Sequence, residues 1–172
     1  MGTVPVPALH SASTVLTTAE TTSWYNAITF ALKPPACRAY SNAIQSWGAG
    51  ASYVVLFGAE SFDNVQAGDT EMHSTSANTD RVTVRTAGRY DVTAIAQFSS
   101  ASSSSSIAIL KNGVNVSINS QAATTAAQSS IALTDSFQCA IGDYFQLQIT
   151  TVAAGSIAAI WPCSLYVKWV SN

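Results

Sequence analysis

Apolar and polar residues alternate along several segments between Arg81 and Leu147, with the period of two that is typical of strands with one buried face. The longest such segment is Gly88–Phe98. Its apolar face consists of Tyr90, Val92, Ala94, Ala96 and Phe98. Polar side chains occupy the opposite face, so we predict a strand that packs on a core with one side only.

Turn signals separate the predicted strands. Asn112-Gly113 lies between two apolar runs, residues 107–110 and 114–118. Both turn residues tolerate the positive φ that a two-residue hairpin needs. Gly142-Asp143 precedes another alternating run, residues 144–150, and a last apolar strand covers residues 165–170. The pattern therefore predicts a β-rich domain with at least one antiparallel hairpin.

The other segments between residues 39 and 127 are predicted to be two further strands and three loops. Ala39-Tyr40 and residues 52–57 are predicted to be the first strands, separated by a turn at Gly48-Ala49-Gly50. Residues 63–80 are predicted to form a long polar loop. The serine-rich run 99–106 and the Ala/Thr run 122–127 are predicted to be exposed loops between strands.

The first 38 residues do not follow the strand pattern. Val4 and Val6 alternate with prolines, which favours an extended arm. Thr17-x-x-Glu20 has the spacing of a capping box and predicts a helix from about Thr18 to Leu32, ended by Pro34-Pro35. The apolar residues of this helix include Trp24, Tyr25, Ile28 and Phe30. They either cover the end of the chain's own sandwich or, together with the arm, anchor it to another protein.

The order of these signals resembles the C1q/TNF-like jelly roll, an all-β antiparallel sandwich, over about Ala39 to Val170. The order consists of Gly88-Arg89-Tyr90 opening a long strand, the Asn-Gly hairpin, the Gly-Asp turn and a final apolar strand. Shorter motifs resemble small C1q-like virion proteins of tailed phages that infect actinobacteria. They are Met1-Gly2-Thr3-Val4-Pro5-Val6-Pro7, Leu32-Lys33-Pro34-Pro35 with Cys37, and Phe62-Asp63-Asn64 followed by Met72-His73-Ser74.

This resemblance implies a domain organisation and a function. Residues 1–38 are expected to be an anchoring arm and helix, and residues 39–172 a jelly-roll domain that forms a homotrimer. The expected function is a structural virion protein, first of all a capsid decoration protein on the head surface, attached to the major capsid protein or another virion protein. The alternative is a tail-associated or fibre-tip module that binds a host surface glycan.

The composition excludes other classes of partner. Charged residues make up 9% of the chain, against about 25% in typical soluble domains. The net charge of −2, with seven scattered basic residues, offers no basic stripe for nucleic acid. No apolar run reaches the ~18 residues of a membrane span, and the N-terminus lacks the pattern of a signal peptide. We therefore expect a protein that folds in a cytoplasm and has no membrane or nucleic-acid partner. The resemblance to phage proteins implies that it is then assembled into a virion.

Residues that could carry chemistry are few, so we expect no enzyme and no cofactor. His10 and His73 are the two histidines, and no Gly-x-Ser-x-Gly motif is present. Asp63, Asp69 and Glu71, with Asp80, Asn64 and Asn78 nearby, could surround a calcium ion, although their spacing matches no EF-hand loop. In the simpler interpretation, Asp63-Asn64 caps a turn and the other carboxylates are solvated. A glycosidase pair is disfavoured because Phe62 is the one aromatic residue beside these acids.

The three cysteines and three of the tryptophans have structural interpretations. Cys37, Cys139 and Cys163 are odd in number and widely spaced, so buried free thiols are expected. A Cys139–Cys163 disulfide is the alternative, which a reducing compartment disfavours. Trp47, Trp161 and Trp169 are predicted to be core or interface anchors, with stacking on sugars as the alternative.

Overall fold

The computed structural model describes residues 17–24, 34–65, 69–98, 104–122, 129–157 and 163–171. Strands account for most of these residues, and residues 18–24 are helical. Within these ranges, no helix has the length and apolar character needed to cross a bilayer. The predicted positions Val4, Val6, His10, Tyr25, Ile28, Phe30 and Trp161 lie outside the described residues.

The described residues contain twelve strands. In chain order they are β1 (Ala36–Tyr40), β2 (Gln45–Trp47), β3 (Ser52–Val54), β4 (Ala59–Asn64), β5 (Val82–Thr83), β6 (Gly88–Phe98), β7 (Ser105–Lys111), β8 (Val114–Gln121), β9 (Ser129–Cys139), β10 (Tyr144–Thr151), β11 (Gly155–Ile157) and β12 (Ser164–Ser171).

These strands form two antiparallel sheets that face each other across one core. The larger sheet has the order β2-β11-β6-β12-β1-β4, and β9 pairs with β6 along its whole length. The smaller sheet has the order β3-β10-β7-β8, and β5 pairs with the start of β10. Among the described residues, β9 pairs only with β6 and β8 only with β7, so both are edge strands. The predicted all-β sandwich is confirmed.

The core lies between the sheets and contains the predicted apolar faces. The five inward side chains of β6 are at most 3% exposed. From the opposite sheet, Phe145, Leu147 and Ile149 of β10 are fully buried, as predicted. Burial of side chains of this kind stabilises the fold by roughly 1.5–3 kcal/mol each. Trp47 is also buried, and its indole donates a hydrogen bond of 2.7 Å to the Thr151 hydroxyl, so its predicted role as a core anchor is confirmed.

The predicted Asn-Gly hairpin joins β7 to β8. Asn112 has a φ of 54° and Gly113 a φ of 79°, which are the positive values that this turn requires. The next predicted turn joins β9 to β10, and its Gly142 has a φ of 91°. Both turns lie where the sequence placed them, and they determine which residues of the adjoining strands face inwards.

Some boundaries differ from the sequence prediction. Asp63 and Asn64 belong to β4 and pair with Cys37 and Ala36, so the polar loop begins after them. Their strand was not predicted because β4 is an edge strand, in which polar residues occupy both faces. β1 begins at Ala36, so its first residues come from the segment assigned to the arm. The division into an anchoring segment and a jelly-roll domain remains a prediction.

Candidate interaction surface

In the described part of the chain, no three His, Cys, Asp or Glu side chains come together as possible metal ligands. Asp69 and Glu71 are exposed. Asp63 points inwards instead, and its carboxylate accepts a hydrogen bond of 2.9 Å from the His73 backbone N–H. Burial raises the pKa of Asp63, although backbone hydrogen bonds from His73 and Met72 oppose that shift. Asp63 is therefore a strand residue that binds the backbone of the 69–80 loop, and the predicted turn cap at Asp63-Asn64 is wrong.

His73 is a buried structural residue. Its Nδ1 atom lies 2.9 Å from the carbonyl oxygen of Arg81, and its Nε2 atom lies 3.1 Å from that of Phe57. The ring also packs edge-on against Phe57, with centroids 6.0 Å apart. Both nitrogens therefore face backbone carbonyls rather than a nucleophile, and the side chain holds the loop 69–80 against the sandwich.

Asp80 is not a solvated carboxylate, so that part of the sequence interpretation is wrong. Its side chain accepts hydrogen bonds from Arg81, at 3.1 Å, and from the Gln146 amide. Partial burial alone would raise its pKa, but these bonds and the Arg81 charge lower it below the ordinary value. Arg81 also stacks on Tyr144, 4.4 Å from the ring centroid. This group ties the end of the loop to β10.

The three cysteines are free and buried. The prediction of buried thiols is therefore confirmed, and the Cys139–Cys163 disulfide alternative is wrong. Burial raises the pKa of the Cys139 thiol to about 11 and that of Cys163 to about 12. Burial, together with the Asp63 and Glu60 carboxylates, also raises the pKa of Cys37. Because the thiolate is the nucleophile, thiols of this kind are poor catalysts at neutral pH.

An aromatic pair lies on the outward face of the seven-stranded sheet. Phe62 of β4 and Tyr166 of β12 both flank Arg38 of β1 in register. Their ring centroids are 5.8 Å apart in an edge-to-face arrangement, and Phe62 is 39% exposed. On the far side of Tyr166, the row continues with Thr93 and Thr134, whose hydroxyls are 3.0 Å apart. We call this surface, from Phe62 to Thr134, the aromatic row.

Three cations lie on the same sheet face as the aromatic row, and Arg38 lies within the row itself. Arg38, Arg89 and Lys168 are exposed and project from the outward face of the same sheet. The two salt bridges among the described residues lie elsewhere, at Arg81–Asp80 and Lys111–Asp143. Asp91 is directly opposite Lys168 in the sheet and accepts a hydrogen bond from the Ser136 hydroxyl. Aromatic and arginine side chains are typical of protein interfaces.

The edge strand β8 exposes a second apolar surface. Val114, Val116 and Ile118 are 65%, 40% and 60% exposed. Asn119, which alternates with them, turns towards β9 and donates a hydrogen bond of 2.8 Å to the Ala132 carbonyl. The apolar side chains therefore face outwards, which is the reverse of what a free edge strand needs for solubility. We call these three residues the β8 patch.

The start of the predicted helix is confirmed by its cap. The Glu20 carboxylate accepts a bond of 2.9 Å from the Thr17 backbone N–H, and the Glu20 N–H donates to the Thr17 hydroxyl at 3.2 Å. These reciprocal bonds are the predicted capping box. Trp24 is 46% exposed on this helix. Of the six predicted anchoring residues, it is the one that the structure describes.

The fold is shared with solved structures of low sequence identity. No family model and no curated protein sequence matches the chain. The crystal structure of murine APRIL at pH 5.0 is 15% identical, with a TM-score of 0.59, and the match covers 78% of this chain and 98% of that chain. The globular domain of zebrafish complement 1qA protein is 11% identical, with a TM-score of 0.56, covering 80% and 99%. The chain has the C1q/TNF-like jelly-roll fold.

Within this jelly roll, the aromatic row and the β8 patch were not predicted as sites. Phe62 was considered only as a neighbour of the acidic loop, and Tyr166 only as part of the last strand. Their contact depends on β1 lying between β4 and β12. The β8 patch had a visible signal in its alternating Val and Ile residues, but that alternation does not say which face is buried.

Proposed function

We propose that this protein is a structural subunit of a tailed-phage virion, a trimeric jelly roll that decorates the capsid surface and is attached by its N-terminal arm. The aromatic row is the observation that carries the self-association part of the proposal. It combines the exposed Phe62 ring and the half-buried Tyr166 ring with cations on one sheet face of a C1q/TNF-like fold. The resemblance to phage virion proteins supports the location.

Two different apolar surfaces on one subunit support the proposed self-association. The aromatic row lies on a sheet face, and the β8 patch lies on an edge strand of the other sheet. If the edge of one copy packs on the face of the next, the contact is heterologous, and a ring closes when the rotation allows it. The resemblance to C1q/TNF-like modules implies a ring of three. Such a contact must leave Arg38, Arg89 and Lys168 in solvent or pair them, because burying an unpaired charge is costly.

Attachment through the N-terminal segment is supported by the helix start. The cap at Thr17 and Glu20 begins a helix whose Trp24 is about half exposed. The other proposed anchoring residues are Val4, Val6, Tyr25, Ile28 and Phe30. Three arms on one trimer raise the effective concentration at the particle surface, so modest affinity per arm is sufficient. The major capsid protein is the proposed partner.

A non-enzymatic role fits the chemistry of the described residues. His73 uses both ring nitrogens on backbone carbonyls, and the thiols of Cys37, Cys139 and Cys163 have raised pKa values. Asp63 is engaged with the backbone of the loop. These potential catalytic groups stabilise the fold, so we propose that the protein acts by binding and not by catalysis.

The competing proposal is a tail-associated module that binds a host surface glycan. One observation favours this glycan-binding function. The exposed Phe62 ring lies in the same row as the hydroxyls of Thr93 and Thr134, and rings beside hydroxyls also suit stacking on sugars. The two proposals assign the same surface to different partners. In a decoration trimer, the row is covered by a second copy, whereas a glycan-binding module leaves it open.

Quantitative mass spectrometry of separated phage heads and tails tests the location. A decoration protein is expected on heads at many copies, in a fixed ratio to the major capsid protein. A small number of copies confined to tails would favour the glycan-binding alternative. Absence from purified particles would contradict both proposals.

A further inference from the structure

The hairpin turn contains the dipeptide that is chemically most prone to asparagine deamidation. In Asn-Gly, the backbone nitrogen of glycine approaches the asparagine side-chain amide without hindrance from a side chain of its own. Asn112 and Gly113 lie at an exposed hairpin tip. An exposed Asn-Gly turn is expected to react unless the side chain is held in place.

The Asn112 side chain is held by the neighbouring turn. Its Nδ2 atom donates a hydrogen bond of 2.7 Å to Oδ1 of Asp143, and its Oδ1 atom accepts one of 3.0 Å from the Tyr144 backbone N–H. The Asn112 backbone N–H also donates to the Tyr144 carbonyl at 2.9 Å. These bonds hold both ends of the side-chain amide, and so they fix the Cγ atom.

Asp143, the acceptor for this amide, is itself fixed. Its carboxylate forms a salt bridge of 2.9 Å with Lys111 and accepts a hydrogen bond of 2.9 Å from the Ala140 N–H. Hydrogen bonds from Asn112, Lys111 and Ala140 lower the pKa of Asp143, although burial opposes them. The carboxylate is therefore charged at neutral pH, and charged acceptors form the stronger hydrogen bonds.

We propose that Asn112 is a deamidation site that Asp143 keeps unreactive in the native fold. When the β9–β10 turn opens, the Gly113 nitrogen loses its proton and forms a bond to Cγ of Asn112. The Cγ–Nδ2 bond breaks and ammonia leaves with that proton, which yields a cyclic succinimide. Water then adds to either carbonyl of the ring and gives aspartate or isoaspartate at position 112.

Deamidation at position 112 prevents the turn from re-forming its native contacts. The product carboxylate has no Nδ2 donor, and it faces the carboxylate of Asp143 at hydrogen-bonding distance, where like charges repel. Isoaspartate also lengthens the backbone of a turn whose two residues determine the strand register. The opened turn therefore cannot close again as before. This inference is independent of the proposed virion function.

Peptide mass spectrometry of the full-length protein tests the inference. The extent of deamidation at Asn112 is followed over time in the native protein, in the urea-unfolded protein, and in the Asp143→Ala and Asp135→Ala variants. Asp135→Ala is the matched control, because it removes an exposed carboxylate of β9 that bonds the Ser136 backbone N–H and not Asn112. A hydrogen bond to a charged group is strong enough to change an opening equilibrium by about tenfold or more.

We expect native Asn112 to react at least about tenfold more slowly than in the unfolded chain, and Asp143→Ala to remove most of this protection. Asp135→Ala should remain within about twofold of the wild type, as is usual for an exposed surface substitution. Equal rates in the native and unfolded wild type would overturn the proposal, and this comparison needs no variant. A folded Asp143→Ala protein that reacts as slowly as the wild type would also overturn it. Circular dichroism at the incubation temperature establishes whether each variant is folded.

Discussion

Phe62 and Tyr166 lie edge to face on the outward surface of the seven-stranded sheet, with ring centroids 5.8 Å apart and Arg38 between their strands. Aromatic pairs of this geometry usually lie in cores or interfaces, where their large apolar area is removed from water. Here the pair is partly exposed on the isolated subunit. A contact with another copy would bury it, which is the basis of the first prediction.

Replacing both Phe62 and Tyr166 with serine should convert the proposed trimer into monomers, because the double variant removes the apolar centre of the proposed interface. Multi-angle light scattering at micromolar concentration measures the mass. Val152→Ser is the matched control, since Val152 is 66% exposed in a turn away from this sheet face. A trimer that persists in the folded double variant would show that the subunits associate through another surface. A wild-type monomer would contradict the trimer and leave the jelly-roll fold intact.

Gly113→Val should destabilise the protein more than Asn115→Ala. Gly113 has a φ of 79°, and a β-branched residue is strained at this value by about 1–3 kcal/mol. Asn115 is an exposed residue of β8, where alanine meets no such conflict. Thermal unfolding of the two variants checks this. Equal melting temperatures would mean that the hairpin has been assigned to the wrong residues.

Gly88→Ala should also destabilise the protein, because there is no space for a side chain at this position. A Cβ atom on Gly88 would lie 2.6 Å from the Ser171 carbonyl oxygen and closer still to the Trp169 indole, and the φ of 146° is unfavourable for other residues. We expect a loss of about 1–3 kcal/mol in unfolding free energy. Gly48→Ala is the control, since no atom lies within 4 Å of a Cβ placed there. Similar urea midpoints for the two variants would contradict the packing described at Gly88.

Asp143→Asn should lower the stability at neutral pH and have less effect in acid. The pKa of Asp143 in the folded protein lies below its ordinary value. The charged carboxylate therefore stabilises the fold at pH values above the ordinary pKa, and this contribution is lost as the pH falls through the folded-state pKa. With solvent screening taken into account, we expect a difference of about 1 kcal/mol near neutral pH. Urea unfolding across the acid range measures it. A difference that stays constant with pH would show that the charge of Asp143 does not contribute.

Sequence patterns predicted those elements whose two faces differ in environment. β6 alternates because one face is core and the other is not, and the β7–β8 turn is specified by Asn112 and Gly113. β9 has the same period at Ile131, Leu133 and Phe137, but Asp135 interrupts it. β4 has no such period because it is an edge strand. Edge strands are therefore where local patterns are least informative.

The candidate surfaces were less predictable than the core. The capping role of Thr17 follows from local chemistry and could be read from the sequence, but the bond that Asp63 accepts from His73 is not local. By contrast, Phe62 and Tyr166 are far apart in the chain and meet only because β1 lies between their strands. A contact of this kind depends on register, which the sequence pattern of a single strand does not determine.

The proposed decoration function requires that the N-terminal segment attach the protein to the particle. A truncated protein that lacks residues 1–33 tests this directly. The cut retains Pro35, whose carbonyl accepts a hydrogen bond of 2.8 Å from the Trp169 N–H. Burial of side chains such as Trp24, Ile28 and Phe30 would contribute roughly 1.5–3 kcal/mol each before ordering costs.

Co-sedimentation with particles that lack the protein compares the truncated form with the full-length chain. We expect the truncated protein to remain folded and soluble and to stay in the supernatant, while the full-length protein sediments with the particles. Aggregation of the truncated protein would mean that the segment belongs to the jelly-roll fold. Equal binding of the two forms would show that attachment runs through the β-sandwich, and it would contradict the proposed anchor.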